Sequence, residues 1–237
     1  MNIDFCIPVY NEEVIFDANS ERIWQFLQKA ALPYDWRLVF IVNGSLPAFV
    51  AQVQKFVAIH QPQITCLVIP EAGKGRAIKA YFNISNADIL VYMDIDLAVG
   101  LEALSRLVSP VIHGEADLVF GSRMLPLSVR SRSRLRESSS RAYLIFSRWL
   151  LKHRFSDLQC GFKAIRASVW QQISPLIKNN AWFFDTELIY YAQKSGFTLQ
   201  EIAVDWSENR YSTRHSKIKM SDAWRFITET IALRRRA

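Results

Sequence analysis

Cysteine, glycine and proline are scarce in this 237-residue chain, which has three, eight and eight of them respectively. The cysteines, Cys6, Cys66 and Cys160, lie far apart and form no CxxC pair. This spacing argues against a disulfide framework and against a cysteine zinc site. The low glycine and proline content excludes collagen-like and low-complexity chains. Such cysteine usage is typical of a reducing compartment, so we expect a cytoplasmic protein.

Long apolar runs are also lacking. The most apolar stretches, 89–99 and 143–151, carry charges and fall short of the ~18 residues that a membrane-spanning helix needs. The first residues show neither the basic segment nor the apolar core of a signal peptide. We therefore expect no transmembrane helix, and any membrane association to be peripheral, on the inner face of the membrane, or through a partner.

Acidic residues are outnumbered by basic ones, 22 against 29, which gives a net charge of +7. This excess favours an anionic partner such as a phosphate-bearing substrate, an acidic membrane surface or a nucleic acid. The aromatic residues mostly follow the apolar periodicity instead of lying between basic residues of an exposed stripe. Nucleic-acid binding is therefore not expected.

In the first half of the chain, short apolar runs alternate with longer amphipathic segments. Strands are predicted at 3–9, 36–42, 64–69, 89–93 and 118–120, and helices at 13–30, 47–60, 74–84 and 101–112. This alternation predicts an α/β fold with a mostly parallel central sheet and helices on both faces. Ligands of such sheets bind beyond the carboxyl ends of the strands, where every predicted strand here is followed by polar, charged or glycine residues.

Two strand ends carry patterns with chemical meaning. Asp94 and Asp96 directly follow a buried strand, and paired carboxylates there suit Mg²⁺ or Mn²⁺ that bridges to substrate phosphates. The alternative is a capped turn in which Asp96 accepts hydrogen bonds from the next amides. Gly73-Lys-Gly-Arg76 opens a helix, and such a glycine-rich turn either approaches a phosphate or is a tight turn with solvated basic residues.

The second half predicts helices near 137–152, 168–177 and 184–195, a strand at 198–206 and a last helix from 221. Residues 130–136 form a basic connecting segment, and the last helix ends in three arginines, 234–236. These basic segments either touch anionic headgroups or, for the last helix, complement the negative end of the helix dipole.

Six motifs occur in a fixed order: IPVYNEE (7–13), GKGRA (73–77), MDIDL (93–97), GSR (121–123), DLQCGFK (157–163) and WFFDTEL (182–188). Together they resemble inverting family 2 glycosyltransferases with a GT-A fold. Within that family the chain is most similar to polyprenyl- and dolichyl-phosphate hexosyltransferases. The last two motifs, followed by EIAVDW (201–206), especially resemble dolichyl-phosphate glucosyltransferases.

The resemblance implies roles for individual residues. It implies a metal on Asp94 and Asp96, and a reacting sugar close to Asp157, Asp185 and Glu187. The nucleotide-sugar donor, a UDP- or GDP-hexose, is expected at Pro8, Tyr10, Glu12, Asn43, Lys74, Arg76 and Asp94. The acceptor, expected to be a polyprenyl phosphate, is assigned to Arg123, Arg141, Arg210, Arg214 and Lys217.

Two positions depart from the family pattern. Relatives usually have Asp-Asp-Gly-Ser after the second strand, whereas this chain has Val42-Asn43-Gly44-Ser45. The missing carboxylates usually help to recognise the nucleoside, so the base of the donor stays open, although Asn43 can pair with a base edge. Mannosyl-type relatives often have Gln at the position of Ala98, which removes one possible metal ligand.

The acceptor decides which catalytic groups are needed. A phosphate monoester has a second pKa of about 6 and is already anionic near pH 7, so positioning arginines matter more than a base. A sugar hydroxyl, in polysaccharide or glycolipid synthesis, would need a carboxylate base, for which Asp185 is the candidate. Alternatively, Asp185 and Glu187 are negative charges that complement the dipole at the N-terminus of a helix. The alternative for Asp157 is a side chain that stabilises a loop turn by hydrogen bonds. We expect a catalytic domain over 1–217 and an amphipathic basic helix over 218–237.

Overall fold

A computed structural model describes residues 1–30, 32–128, 130–131, 134–207 and 220–236, and for 130–131, 134–141 and 220–223 the description is confined to the backbone. The strands are β1 (Asn2–Val9), β2 (Asp35–Asn43), β3 (Ile64–Ile69), β4 (Ile89–Met93), β5 (Leu118–Ser122), β6 (Arg130–Ser131), β7 (Phe162–Arg166), β8 (Leu199–Ala203) and β9 (Trp206–Ser207). The helices are α1 (Glu13–Lys29), α2 (Pro47–Ile59), α3 (Lys74–Phe82), α4 (Leu104–Ile112), α5 (Arg134–Leu151), α6 (Ala167–Ile173), α7 (Phe184–Lys194) and α8 (Met220–Arg236).

Seven strands form the central sheet in the order β3-β2-β1-β4-β7-β5-β8. Strands β1 to β4 are mutually parallel, and β5 pairs in parallel with β8. The predicted α/β architecture with a mostly parallel sheet is confirmed. A separate two-stranded ladder joins β6 to β9, beside the end of β8.

Strand β7 is absent from the sequence-based prediction. It runs antiparallel between β4 and β5, with Met93 opposite Phe162 and Phe120 opposite Lys163. Its sequence, Phe162–Arg166, is buried on both faces of the sheet, but Lys163 interrupts the continuous apolar run that is typical of such strands. Because it runs in the opposite direction, its amino end lies at the same sheet edge as the carboxyl ends of β4 and β5.

Two apolar cores cover the two faces of the sheet. On one face, alternate residues of β1 and β2 such as Phe5 and Phe40 pack with Phe16 of α1 and Phe49 of α2. On the other face, the intervening residues pack with α3, α6 and α7 around the fully buried Trp170. This alternation of buried residues is the pattern expected of a sheet covered by helices on both sides.

The helices differ from their predicted bounds mainly at their ends. The predicted helix 168–177 divides into α6 and a 3₁₀ turn over Ser174–Leu176, because Pro175 cannot continue the α-helical hydrogen bonds. The 130–136 segment, expected as a connection, contributes strand β6 and the first turn of α5. Within the described residues, no helix combines the length and the apolarity that crossing a membrane requires.

Helix α8 packs on the rest of the chain. The Tyr143 hydroxyl of α5 lies 3.0 Å from Thr230 Oγ1, and the ring of Phe226 stacks at 6.0 Å from that of Phe183. Leu233 is completely buried. The predicted boundary at residue 217 lies outside the described residues, so the proposed division into 1–217 and 218–237 stays a prediction.

Candidate functional site

The strand register brings several predicted site residues to one edge of the sheet. Val9 is aligned with Val42 and Cys6 with Tyr92, so β1, β2 and β4 end side by side. Strand β5 ends at the same edge, and the 152–161 connection arrives there before β7 begins. This edge is where ligands bind in open α/β sheets.

Asp94, Lys74 and Asp185 form the charged centre of this edge. Lys74, the first residue of α3, places its ammonium Nζ 3.0 Å from Asp94 Oδ1 and 3.4 Å from Asp185 Oδ2. The Asp94 side chain remains 40 % exposed, whereas that of Asp185 is 2 % exposed. Asp94 is therefore the carboxylate that a ligand can reach, and Asp185 supports the centre from beneath.

Asp185 is held by a buried network. Its Oδ1 accepts hydrogen bonds of 2.5 Å from both the Tyr92 hydroxyl and Lys163 Nζ, and Lys163 also donates to the carbonyl of Cys160 at 2.6 Å. Lys163 itself is completely buried. A buried charge requires such compensation because it has lost its hydration.

The ionisation of the two carboxyl groups differs accordingly. The pKa of Asp94 is raised above its ordinary value, because desolvation of its carboxyl and the neighbouring charges of Asp96 and Asp185 outweigh the lowering by the Lys74 ammonium. Burial also acts to raise the pKa of Asp185, but Lys163 and Lys74 together overcome it and the pKa falls below its ordinary value. Asp185 is therefore a carboxylate at neutral pH, and its negative charge is already neutralised by the chain.

Gly161 lies directly behind the Asp94–Lys74 pair. A Cβ atom at residue 161 would collide with the Asp94 carboxylate and with the Lys74 ammonium. A side chain at residue 161 would therefore displace the ion pair, because the backbone of the segment that enters β7 passes against it.

Asp96 caps the turn that follows β4. Its Oδ1 accepts a hydrogen bond from the amide of Ala98 at 3.0 Å, and Leu97 has a positive φ of 50°. The capped turn that we considered as an alternative is therefore present. A carboxylate has about four acceptor positions on its two oxygens, so one hydrogen bond to the turn and a metal-binding role are compatible.

The chemistry of this turn suits a divalent cation that the substrate helps to bind. Among the described residues, no group of three His, Cys, Asp or Glu side chains is placed to hold a metal ion. Mg²⁺ typically takes one or two carboxylates and completes its shell with phosphate oxygens and water. Asp94 and Asp96 fit that donor set.

Asn43 connects the loops that are predicted to bind the nucleotide. Its amide nitrogen donates to the carbonyl of Val9 at 2.8 Å, and its Oδ1 accepts from the amide of Gly73 at 2.9 Å. The side chain is buried. Asn43 therefore fastens the ends of β1 and β2 to the turn that opens α3, and contact with a nucleoside base stays a prediction.

The other residues assigned to the donor line the same loops. Tyr10 is 42 % exposed, and Pro8 and Glu12 are half-buried at the end of β1. Asn11, between Tyr10 and Glu12, accepts a hydrogen bond from the amide of Leu46 at 2.9 Å, and this bond joins the loop after β1 to the loop after β2. The Arg76 guanidinium forms an ion pair with Glu71 at 2.9 Å.

Arg123 and Asp157 form a second ion pair on the β5 side of the edge. The Arg123 Nε and Nη2 atoms bind the two oxygens of Asp157 at 2.6 and 3.0 Å, and the Arg123 amide donates at 3.1 Å. Asp157 also accepts from the amide of Gln159 at 3.0 Å. These bonds occupy all four acceptor positions of the carboxylate. Burial opposes its ionisation, but Arg123 prevails and the pKa of Asp157 is lowered.

Glu187 lies apart from the other predicted catalytic residues. It is completely buried, and its Oε2 accepts from the amides of Lys178 and Asn179 at 2.7 and 2.8 Å. Its Oε1 contacts Arg236 of α8. The side chain thus holds a loop and the last helix, and its catalytic role stays a prediction.

Four residues predicted to bind the acceptor cannot be located through their side chains. Arg141 lies in the first part of α5, residues 134–141, of which only the backbone is described, and Arg210, Arg214 and Lys217 lie outside the described residues. The sequence analysis in turn missed Tyr92, Lys163 and Gly161 as members of the centre. A lysine within the alternating apolar strand 162–166 is the signal that could have indicated a buried ion pair.

Comparisons with known proteins identify the family and the relatives of this chain. The profile of a family described as "Glycosyl transferase family 2" matches residues 4–174. The chain is 32 % identical over 207 residues to glycosyltransferase AglD of Haloferax volcanii, covering 87 % of this chain and 33 % of that protein. It is 27 % identical to a dolichyl-phosphate beta-glucosyltransferase of Dictyostelium discoideum, covering 85 % of this chain and 65 % of that protein. The chain thus spans a third to about two thirds of the length of these relatives.

A solved structure shares the fold. Glucosyl-3-phosphoglycerate synthase from Mycobacterium tuberculosis, crystallised with Mn²⁺, UDP and phosphoglyceric acid, superposes with a TM-score of 0.66 at 16 % identity. The superposition covers 98 % of this chain and 76 % of that protein. The GT-A fold expected from the motifs is confirmed.

Proposed function

Because the chain belongs to glycosyl transferase family 2, we propose that it transfers a hexose, with inversion, from a nucleotide sugar to a polyprenyl phosphate. The similarity to a dolichyl-phosphate beta-glucosyltransferase supports the lipid phosphate as acceptor. The activity named is that of whole relatives, and the chain spans a third to about two thirds of their length.

The donor diphosphate is proposed to lie against Asp94, Asp96 and Lys74. A divalent cation bound by the two aspartates would neutralise the charge that grows on the departing nucleoside diphosphate. Lys74 is held as an ammonium because Asp185 and Asp94 raise its pKa despite its burial. It adds a second positive charge at the same place. Mg²⁺ and Mn²⁺ both suit this oxygen donor set.

The way in which Arg123 is held is the observation that supports a phosphate monoester as the proposed acceptor. Its Nε–Nη2 edge is held by Asp157, and its guanidinium lies 5.6 Å from the ring of Trp206. The Nη1 side lies outside this ion pair, and the side chain keeps 17 % of its surface exposed. A guanidinium fixed in this way is suited to orient a phosphate monoester, because planar forks match phosphate oxygens.

The state of Asp185 weighs against a hydroxyl acceptor. A general base must be within hydrogen-bond reach of the proton that it takes. Asp185 is 1 % exposed, and Tyr92, Lys163 and Lys74 surround its carboxylate. A lipid phosphate needs no such base, since it is already an anion near pH 7. The alternative, transfer to a sugar hydroxyl, therefore lacks its candidate base in this geometry.

A peripheral position on a membrane is part of the proposal. Helices α5 and α8 expose Ile145, Trp149 and Trp224 to 70 %, 75 % and 70 %, beside the exposed Arg148 and Arg225. Exposed tryptophan with basic neighbours is typical of surfaces that enter the headgroup region of an anionic bilayer. Sedimentation with anionic vesicles should fall in Trp149→Ser and Trp224→Ser, and stay unchanged in Val14→Ser on α1. Equal sedimentation of all three would contradict this surface.

The decisive experiment measures labelled sugar in an organic-extractable lipid. The protein is given Mg²⁺ or Mn²⁺, a polyprenyl phosphate and, separately, UDP- and GDP-hexoses, because the nucleoside is open. We expect lipid product with one nucleoside. Asp94→Asn and Arg123→Ala should abolish it, and Arg141→Ala tests the predicted second arginine. Arg106→Ala, an exposed arginine on α4, is the control and should transfer normally.

Two outcomes would change the conclusion. Metal-dependent hydrolysis of the donor without lipid product would retain the donor site and remove the lipid acceptor. Donor binding without hydrolysis or transfer would indicate a nucleotide-sugar binder that has lost catalysis.

A further inference from the structure

Glu201 on β8 accepts three hydrogen bonds with a single oxygen atom. Its Oε1 lies 2.7 Å from the amide of Ser156, 2.8 Å from the Ser156 hydroxyl and 3.0 Å from the amide of Asp157. Neither the donor site nor the acceptor site proposed above includes this residue. A half-buried carboxylate that collects three donors from one turn is a strong local constraint.

The turn held by Glu201 leads directly to Arg123. Asp157, the second residue of the turn, holds the Arg123 guanidinium through both carboxylate oxygens. The hydroxyl of Ser156 also lies 2.6 Å from that of Ser122, the last residue of β5 before Arg123. The turn is thus fixed to β8 at one side and to β5 at the other.

The sheet provides the rigid base for this arrangement. Phe120 is aligned with Glu201 and Ser122 with Ala203, so β5 and β8 carry Arg123 and Glu201 at a set distance. Glu201 bonds the backbone of Asp157, whereas the Asp157 side chain holds the Arg123 guanidinium. The influence of Glu201 on a bound phosphate therefore passes through Asp157 and Arg123.

We propose that Glu201 is a positioning residue for the acceptor phosphate, acting by fixing the Ser156–Asp157 turn that aims Arg123. This inference rests on the proposed function, since it assigns Arg123 to a phosphate monoester. Displacing a positioning group by about 1 Å can cost a factor of about 100 in rate. Loss of Glu201 is expected to loosen Arg123 by a comparable displacement.

The test compares Glu201→Ala with Glu201→Gln and with Gln200→Ala. The glutamine variant would keep an oxygen at the position of Oε1, and Gln200 is the exposed neighbour on the same strand, so Gln200→Ala is the control. We expect Glu201→Ala to raise the KM for polyprenyl phosphate about 10- to 100-fold, with the KM for the donor nearly unchanged. Glu201→Gln should recover most of the loss. A purely structural role would instead lower the melting temperature and affect both substrates alike.

A binding measurement separates this inference from the proposed function. The affinity of the protein for a short-chain isoprenyl monophosphate is measured by calorimetry, without donor. Weaker binding by Glu201→Ala, with normal binding by Glu201→Gln and Gln200→Ala, supports the inference even if no sugar is transferred. Equal binding by all variants overturns the inference, and sugar transfer is then judged by its own assay. A wild-type protein that does not bind the isoprenyl monophosphate also overturns the inference.

A second variant covers the case in which Glu201→Ala does not fold. Ser156→Ala removes only the hydroxyl contacts of the turn with Glu201 and Ser122. It should weaken binding of the same monophosphate to an intermediate extent, and unchanged binding would overturn the inference.

Discussion

Replacing Lys163 by methionine tests the buried network beneath the charged centre. The substitution keeps most of the side-chain volume and removes the ammonium that lies 2.5 Å from Asp185 Oδ1. Asp185 would remain buried with Lys74 at 3.4 Å and the Tyr92 hydroxyl at 2.5 Å. The variant therefore leaves a carboxylate with part of its compensation missing.

The expected cost follows from these contacts. Removing one partner of a buried ion pair typically costs about 3–5 kcal/mol. Because Lys74 and Tyr92 stay in place, we expect the lower end, about 3 kcal/mol. For a chain of this size, that loss corresponds to a melting temperature lower by roughly 6–12 °C.

Urea unfolding followed by circular dichroism measures the free energy of unfolding. Lys55→Met, an exposed lysine on α2, is the matched control and should change it by less than about 0.5 kcal/mol. In the double variant Lys163→Met/Asp185→Asn the losses should be less than additive, because the unpaired charge is gone. A loss below about 1 kcal/mol in Lys163→Met, or additive losses in the double variant, would refute the reasoning.

Three further results are expected. Gly161→Ala should reduce sugar transfer by about 100-fold with little change in melting temperature, because its Cβ displaces the Asp94 carboxylate; normal transfer would contradict the close approach. In Asp94→Asn the affinity for the donor nucleotide, measured by calorimetry, should no longer respond to Mn²⁺. Burial and Arg148 lower the pKa of His153 to about 4, so the folded protein favours the neutral ring. Stability should thus be full above about pH 6.5 and fall by up to about 3 kcal/mol as the pH approaches 4, and His153→Gln should flatten that dependence in acid unfolding curves.

The parallel strands and the residues that follow them were accessible from the sequence because they depend on local patterns. Continuous Val- and Ile-rich runs predicted β1 to β5. Because ligands of open α/β sheets bind beyond the carboxyl ends of the strands, Asp94 and Arg123 were then expected at one edge of the sheet. Strand β7 escaped because its lysine interrupts the apolar pattern. Burial of that lysine depends on Asp185, which lies 22 positions further along the chain.

The roles of individual side chains were harder to predict than their location. Asn43 was predicted to contact a nucleoside base, which stays a prediction, and the structure adds that its amide bonds the backbone of Val9 and Gly73. Asp157 was predicted to lie close to the reacting sugar, which stays a prediction, and the structure adds that its oxygens hold Arg123 and the amide of Gln159. These partners lie up to 34 positions away in the chain, so no local motif reports them.

The position of β7 also sets an order in which the molecule can assemble. The first four parallel strands end at residue 93 and pair among themselves, so this half can form while later residues are still being synthesised. Among the described residues, β5 pairs with β7 and β8 and not with β4, so β7, about 40 residues later in the chain, links it to the first four strands. The first half of the sheet, β1 to β4, is therefore expected to form first and to serve as a scaffold for the later strands. The Lys74–Asp94 pair and the Arg123–Asp157 pair are joined in one sheet only after the 157–166 segment has been inserted between β4 and β5. A complete site therefore depends on that insertion step.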